Sequence, residues 1–113
     1  MRRTVLITGF GPFPGVPVNA SGELAGRLAV AARQAFPTTR VTAARLPTEW
    51  ETAPLLLEDL LARHRPDLAL HFGVSHTARG FVVETRARNA ARNPDATGRL
   101  PATDGLLPNQ PDE

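Results

Sequence analysis

The sequence predicts an α/β protein built on a parallel sheet that is incomplete. Residues 5–8 and 68–73 are apolar runs without polar alternation, which is typical of strands buried on both faces of a sheet. Two segments with helical spacing of apolar residues and one further strand candidate lie between these runs. This alternation of strands and helices favours parallel strands joined by helical crossovers.

The first strand leads into a loop rich in glycine and proline. The strand halts at Gly9, and Gly9, Gly11 and Gly15 can each adopt a positive φ, while the prolines between them stiffen the loop. Phe10 and Phe13 lie in this loop, at the strand end where ligands collect in open α/β sheets. They predict a small apolar pocket, and the alternative is that both rings cap the core.

A first helix is predicted to begin at Asn19 or Ser21, which are both favoured N-cap residues, and to end near Ala35. Its apolar residues recur at helical spacing and form one face: Leu24, Leu28, Ala31, Ala32 and Ala35. Gly22 and Gly26 each weaken a helix by about 1 kcal/mol relative to Ala. Two such residues in one helix suggest that it packs closely on the sheet.

A second strand over residues 40–46 is less apolar than the first and is expected nearer an edge. A second helix is predicted over residues 52–64, because a start at Thr52 places Pro54 in the first turn, where its missing N–H is harmless. Five leucines form a broad face that is expected to lie buried against the sheet: Leu55, Leu56, Leu57, Leu60 and Leu61. His64 falls in the last turn, where the helix dipole favours a cation, and a structural role is the better interpretation.

Two later segments continue the predicted sheet. His71 lies in the third strand, residues 68–73, and is expected to be a core or interface histidine with a hydrogen-bond partner. Residues 81–85 predict a fourth strand, which contains Glu84. A carboxylate that follows three apolar residues, beside a loop at the ligand end of a sheet, is either paired with an Arg or functional. Glu84 is therefore a candidate site residue.

The sequence changes character from Asn89 onwards, where turn residues dominate and only three leucines remain. Residues 1–88 are therefore predicted to form the N-terminal α/β part of a domain, and residues 89–113 a loop or tail without regular structure. A tail of this length without an element of its own is unexpected in a compact domain.

Composition excludes several classes of function. All 13 basic residues are Arg, and no Lys, Tyr or Cys is present to titrate between neutral pH and the guanidinium range, so a net charge of +2 is enough to give a pI of 10.9. The arginines are scattered along the chain, which does not predict a nucleic-acid interface. No Cys is present, so these residues build no disulfide and no thiol nucleophile.

The same inspection predicts no metal, no cofactor and no membrane segment. The three His lack the spacing of a metal hydrolase. The apolar stretch after Met1 is too short for a signal peptide, and no run approaches the length of a membrane span. A cytoplasmic location is therefore expected.

The sequence resembles the pyroglutamyl peptidase I family, also called pyrrolidone-carboxylate peptidases. The resemblance rests on the order and spacing of short motifs: V-L-I-T-G-F-G-P-F at residues 5–13, N-A-S at 19–21, H-F-G at 71–73 and A-R-N-P-D-A-T-G at 91–98. Glu84 stands eleven residues after Gly73, where the family keeps its catalytic Glu. The segment at 91–98 is two residues closer to that Glu than in many bacterial members, and Val74 stands where many of them place Gln. The resemblance covers the N-terminal half of a family member.

The resemblance implies an α/β/α three-layer sandwich of the phosphorylase/hydrolase-like kind and a soluble cysteine exopeptidase. The implied substrates are peptides with an N-terminal pyroglutamyl group, whose flat lactam ring would lie between Phe10 and Phe13. Glu84 would orient the catalytic His, and Arg92 would stabilise the developing oxyanion. The family's nucleophilic Cys and its partner His lie outside the matched half, so the 113-residue chain is expected to be inactive alone.

Two other functions are compatible with parts of the sequence. A non-catalytic fragment could use an open sheet edge and uncovered leucine faces to bind its missing C-terminal half, or a second copy of itself as a homo-oligomer. A nucleotide-binding module is the other, since residues 9–15 superficially resemble a dinucleotide fingerprint. However, Pro14 occupies the position of its third Gly, and the second strand ends in Leu46 and Pro47 instead of an acid.

Overall fold

The computed structural model describes residues 2–86 and 95–101, which contain a three-stranded parallel sheet and two helices. The elements follow in the order β1 (Thr4–Phe10), α1 (Ala20–Ala35), β2 (Arg40–Leu46), α2 (Thr52–His64) and β3 (Leu68–His71). β1 lies in the centre, paired with β2 along its whole length and with β3 over residues 5–8. Neither of the described helices is long and apolar enough to cross a membrane.

The two helices cover opposite faces of the sheet. Ile7 and Val41 pack with Ala25 and Ala29 of α1 on one face. On the other face, Leu6 and Leu46 pack with Leu60 of α2. Opposite faces follow from right-handed crossovers, because β1 to β2 and β2 to β3 run in opposite directions across the sheet. The predicted α/β class, with its three layers, is confirmed.

The central position of β1 explains its composition. Leu6 and Ile7 point to opposite faces and are 0% and 1% exposed. Thr8 is equally buried and has its hydroxyl bonded to His71 of β3. β2 forms one edge of the described sheet, as its lower apolar content predicted.

The strand bounds differ from the prediction at three places. β1 continues through Gly9 to Phe10, because the register with β2 is kept to the pair of Phe10 and Leu46. β3 ends at His71 instead of residue 73, since His71 is the last residue that pairs with β1. Residues 81–85 are not a strand; their apolar side chains are exposed, and no described strand offers a partner to this segment.

α1 begins where the sequence predicted, with Asn19 as its N-cap accepting a hydrogen bond from the Ser21 N–H. Of its two glycines, only Gly22 has the close contact expected of both, because a Cβ there would lie 2.4 Å from the Phe10 carbonyl oxygen. Gly26 has no atom within 4 Å of such a Cβ, so the prediction of close packing was wrong for that residue.

α2 has the predicted bounds, with Pro54 in its first turn and His64 in its last. The broad buried leucine face was wrong, because only Leu60 is buried and Leu55 is 66% exposed. The apolar strip beneath the helix is narrow, and Leu57 and Leu60, one turn apart, are the leucines that pack on it.

Residues 95–101 contain turns and neither helix nor strand. The other tail residues, 89–94 and 102–113, lie outside the described residues. The division of the chain at residue 88 therefore stays a prediction.

Candidate functional site

The candidate site lies at the edge of the sheet where the strands have their carboxyl ends. α1 connects β1 to β2 on one side of β1, and α2 connects β2 to β3 on the other side, so the strand order reverses between β1 and β3. Ligands of open α/β sheets bind in the crevice at such a reversal. Because β1 and β3 are parallel, the loop with Phe10 and Phe13 and the loop after His71 leave the sheet at this same edge, as predicted.

A network of hydrogen bonds braces the loop that follows β1. The Phe10 N–H donates to Ser21 Oγ at 2.9 Å, and that hydroxyl donates to Asn19 Oδ1 at 2.7 Å. Asn19 Nδ2 in turn donates to the Gly11 carbonyl at 2.9 Å, and Thr48 Oγ1 donates to the same carbonyl at 3.3 Å. Asn19 and Ser21 are both buried, so the loop is held to the start of α1 by polar groups shielded from water.

The same loop is positioned by a close contact of two backbones. A Cβ on Gly9 would lie 2.0 Å from the Ser21 carbonyl oxygen, so no larger residue fits between β1 and α1. Further along, the Phe13 and Val16 backbones exchange two hydrogen bonds of 3.1 and 2.8 Å, and Gly15 between them has a φ of 85°. Of the three loop glycines expected to use positive φ, only Gly15 does; Gly9 instead permits the approach of α1.

A cavity of about 360 Å³ opens beside Phe10, between the carboxyl ends of β1 and β2 and the first turns of α2. Its walls are predominantly apolar, and its size falls in the usual range for small-molecule sites. The residues around it are Phe10, Leu46, Thr48, Glu49, Trp50, Ala53, Pro54, Leu57 and Asp95. Phe10 was predicted as a site residue, and the others were not.

Phe10 has two roles in this arrangement. Its ring is half-buried and packs against the cluster of Leu6, Leu46 and Leu60, so it caps the core. The same ring also forms part of the cavity wall. Phe13 is half-buried too, but it does not line the cavity.

Asp95 joins a distant segment to the cavity. Its carboxylate accepts hydrogen bonds from the backbone N–H groups of Trp50 at 2.9 Å, Thr97 at 2.8 Å and Arg99 at 3.0 Å. The Thr97 hydroxyl also donates to it at 2.7 Å, and this bond is the first cause of a pKa lowered to about 2 for Asp95. The Ala96 N–H donates to the Thr48 carbonyl at 2.7 Å, so residues 95–99 are fixed to the segment before α2.

The hydrogen bonds of Asp95 to Trp50, Thr97 and Arg99, here called the Asp95 clamp, have a partial signal in the sequence. Asp95 with Thr97 two residues later and Gly98 after it is the pattern of an Asx turn, in which a carboxylate binds the N–H groups that follow it. Its partner at Trp50 is 45 positions away, and no pattern in the sequence connects the two.

The remaining candidate residues lie apart from the cavity. Glu84 is exposed, in the segment after β3, and is not among the residues around the cavity. Arg92 lies outside the described residues. His71 has the expected hydrogen-bond partner, with Nδ1 and Thr8 Oγ1 at 2.7 Å, but its side chain is exposed and does not lie in the core. Partial desolvation lowers its pKa. Among the described side chains, no group of His, Asp and Glu is arranged to hold a metal ion.

Comparison with known proteins shows strong similarity along nearly the whole chain. The profile of the family described as pyroglutamyl peptidase matches residues 3–112. The chain is 35% identical to the pyrrolidone-carboxylate peptidase of Bacillus subtilis over an alignment of 115 positions. The alignment covers 98% of this chain and 51% of that protein. It is 37% identical to the protein of the same name from Gloeobacter violaceus, covering 95% of this chain and 52% of the relative.

Solved structures agree with the sequence comparisons. Bacillus amyloliquefaciens pyroglutamyl peptidase I superposes with a TM-score of 0.82 and 29% identity, covering 98% of this chain and 53% of that one. A mutant pyrrolidone carboxyl peptidase from the hyperthermophile Pyrococcus furiosus gives a TM-score of 0.83 and 31% identity, covering 96% of this chain and 52% of the other. The 113-residue chain thus spans about half the length of the relatives it matches.

Proposed function

Because this chain belongs to the pyroglutamyl peptidase family, we propose that it forms the N-terminal half of a thiol exopeptidase that removes pyroglutamate from the N-terminus of peptides. The match over residues 3–112 carries the proposal. The braced aromatic loop at the carboxyl end of β1 supports it, since this is the edge where an α/β sheet binds its ligand.

In this proposal the lactam ring of the substrate binds against Phe10 and Phe13. Both side chains are half-buried, so each is held by the protein and still keeps exposed surface for a flat, weakly polar ring. The hydrogen bonds from Asn19 and Ser21 fix the loop before the substrate arrives. A site organised in advance loses less conformational entropy on binding.

The chemistry needs residues that these 113 do not contain. In the proposed reaction a cysteine thiolate attacks the carbonyl carbon of the pyroglutamyl group, and the C–N bond to the next residue breaks. A His protonates the leaving amine, and water then hydrolyses the thioester. Since the chain has no Cys, the nucleophile in this proposal belongs to another polypeptide segment, and the partner His is proposed to lie there too. A cytoplasmic, reducing location would keep such a thiol active.

Two residues of this chain are proposed to assist that reaction. Glu84 would accept a hydrogen bond from the His, hold it in the required tautomer and stabilise its charged form. Its exposure fits this role, because a carboxylate that receives a partner from another segment is open to solvent until that segment binds. Arg92 would stabilise the oxyanion that develops on the attacked carbonyl.

The test uses a pyroglutamyl amide of a fluorescent amine. We expect no turnover by the 113-residue chain alone, and turnover when it is joined to the half of the Bacillus subtilis relative that it does not match. In the joined protein, Glu84→Gln should lower kcat/KM by about 10⁴-fold, the loss expected for the third member of a triad. Glu58→Gln, an exposed acid on α2, is the matched control and should change nothing.

Two results would contradict the proposal. Turnover by the 113-residue chain alone would show that no external thiol is needed. Equal turnover of the corresponding prolyl amide, which lacks the lactam carbonyl, would show that the aromatic loop does not select pyroglutamate.

A further inference from the structure

The cavity beside Phe10 is large and predominantly apolar. An apolar cavity of about 150 Å³ is enough to hold benzene in a protein, and the volume here is about 360 Å³. Besides Phe10, the apolar wall comes from β2, α2 and the segment between them: Leu46, Trp50, Ala53, Pro54 and Leu57. A cavity of this size and lining fits a large apolar side chain.

The polar side chains around this cavity are already engaged within the protein. Thr48 Oγ1 donates to the Gly11 carbonyl at 3.3 Å, and Glu49 Oε1 accepts a hydrogen bond of 2.7 Å from the Thr52 hydroxyl. The Asp95 carboxylate accepts the four hydrogen bonds of the Asp95 clamp. A lactam N–H and C=O both need hydrogen-bond partners when they leave water, so this cavity does not suit the lactam.

Phe10 connects the cavity to the proposed lactam site. Its ring lines the cavity, whereas Phe13, the other ring of the proposed lactam site, does not. The two sites therefore adjoin at Phe10. In a peptide whose lactam lies on Phe10 and Phe13, the next residue begins about 3.8 Å further along, the distance between neighbouring Cα atoms. After the lactam itself, the side chain of that residue is the part of the substrate nearest to the cavity.

The Asp95 clamp holds the wall of the cavity in place. The Trp50 N–H donates to the Asp95 carboxylate at 2.9 Å, and the Thr48 carbonyl accepts a hydrogen bond of 2.7 Å from the Ala96 N–H. These two bonds fix the backbone of residues 48–50 before a substrate binds. A wall that is fixed in advance loses less conformational entropy on binding.

We infer that this cavity receives the side chain of the residue after pyroglutamate, and that Trp50 makes the site select large apolar side chains. The inference rests on the proposed function, and it names the class of peptides that the exopeptidase cleaves best. A small side chain leaves the apolar wall in contact with water. An acidic side chain meets the carboxylates of Glu49 and Asp95, and like charges repel.

The experiment compares pyroglutamyl dipeptide amides as substrates of the joined protein, with the released pyroglutamate measured by chromatography. The phenylalanine and leucine dipeptides should have a kcat/KM about 10-fold above that of the alanine dipeptide, the lower end of the gain from burying a large apolar side chain. The glutamate dipeptide should be cleaved more slowly than the glutamine dipeptide, which has the same size without the charge. Equal values for phenylalanine and alanine would overturn the inference.

Three variants test the location of the site. Ala53 lines the cavity from α2, so the ring of Ala53→Phe should fill it and remove the preference for phenylalanine, while the alanine dipeptide is cleaved as before. Trp50→Ala removes part of the wall and should reduce the same preference. Ala62→Phe is the matched control, because Ala62 is exposed on the same helix and does not line the cavity. A preference that survives in both Ala53→Phe and Trp50→Ala, or is lost in Ala62→Phe, would overturn the inference.

Two outcomes separate this inference from the proposed function. Turnover without selectivity, the result expected if the other segment fills the cavity, would uphold the proposed function and overturn the inference. No turnover of any dipeptide would count against the proposed function, and the inference is then decided by binding to the 113-residue chain. Fluorescence of Trp50, the single Trp, should then respond more strongly to the phenylalanine dipeptide amide than to the alanine one, and Ala53→Phe should abolish the difference. Equal responses, or none up to about 10 mM, would overturn the inference.

Discussion

The contact between Gly22 of α1 and the end of β1 can be tested with a pair of alanine substitutions in one helix. At Gly22 a Cβ would lie 2.4 Å from the Phe10 carbonyl oxygen, and both atoms belong to rigid elements. At Gly26 the same Cβ would meet nothing within 4 Å. The two positions are one turn apart, so Gly22→Ala and Gly26→Ala differ mainly in this contact.

The two substitutions are expected to change the free energy of unfolding in opposite directions. Gly26→Ala removes a helix-weakening residue and should raise the free energy of unfolding by about 0.5–1 kcal/mol. Gly22→Ala gains the same propensity but forces α1 about 1 Å away from β1, and overpacking of this kind costs about 3 kcal/mol, the upper end of its usual range. We therefore expect a net loss of about 2 kcal/mol for Gly22→Ala, and a separation of about 3 kcal/mol between the variants.

Urea unfolding followed by far-UV circular dichroism measures both values on the 113-residue chain. In thermal unfolding the two variants should differ by about 12 °C, at about 4 °C for each kcal/mol in a chain of this size. Equal stabilisation by both substitutions would refute the close approach of α1 to β1. In that case the Phe10 loop would be held to α1 by the hydrogen bond to the Ser21 hydroxyl, without help from the Gly22 contact.

Three further predictions concern polar groups of the described structure. Asn19→Ala removes the cap of α1 and the hydrogen bond to the Gly11 carbonyl, and should lower the free energy of unfolding by about 2 kcal/mol. Asn19→Ser keeps the cap alone and should be intermediate. A loss below about 0.5 kcal/mol for Asn19→Ala in urea unfolding would show that these hydrogen bonds do not hold the loop. Burial lowers the pKa of His71 below its ordinary 6.5, so its contribution to stability is complete above pH 6.5 and is lost as the pH falls through the folded-state pKa. Melting temperatures measured across that range should drop less for His71→Asn than for the native chain, and equal drops would contradict the role of His71. The Thr97 hydroxyl, and with it the backbone N–H groups that bind the carboxylate, lower the pKa of Asp95 from 3.8 to about 2. The hydrogen bond from Trp50 to Asp95 is therefore complete above pH 3.8 and is lost as the pH falls towards 2, and the fluorescence of this single Trp should titrate in that window. An unchanged fluorescence titration in Asp95→Asn would contradict this assignment.

Local sequence chemistry was sufficient for most elements of the fold. The apolar run of β1 predicted a strand buried on both faces, and Pro54 predicted where α2 begins. Asn19 and Ser21 were both candidates for the start of α1, and the structure has Asn19 as the N-cap. Each of these depends on interactions within a few residues or on simple burial, which the order of residue types expresses directly. The motifs that carried the family resemblance are likewise short and keep their spacing along the chain, and the assignment was confirmed.

The candidate site was predictable only where it follows from those local features. The aromatic loop at the end of β1 was predicted from its glycines and phenyl rings. The cavity beside Phe10 was not, because its walls come from β2, the segment before α2 and Asp95. Glu84 and Phe13 stay predictions as site residues, and Arg92 lies outside the described residues.

The types of the five observed elements, the start of α1 and the family could be predicted from the sequence, because these depend on neighbouring residues and on the spacing of motifs. Three features could be known only from the folded chain: which glycine of α1 touches β1, which leucine of α2 is buried, and whether residues 81–85 form a strand. Each of those outcomes depends on a group that another element supplies. For the glycine it is a carbonyl oxygen of β1, for the leucine it is the apolar surface of the sheet, and for residues 81–85 it would be a neighbouring strand, which the described residues do not provide. A strand in particular exists through the hydrogen bonds of its neighbour, and its own residues can favour it but cannot form it alone.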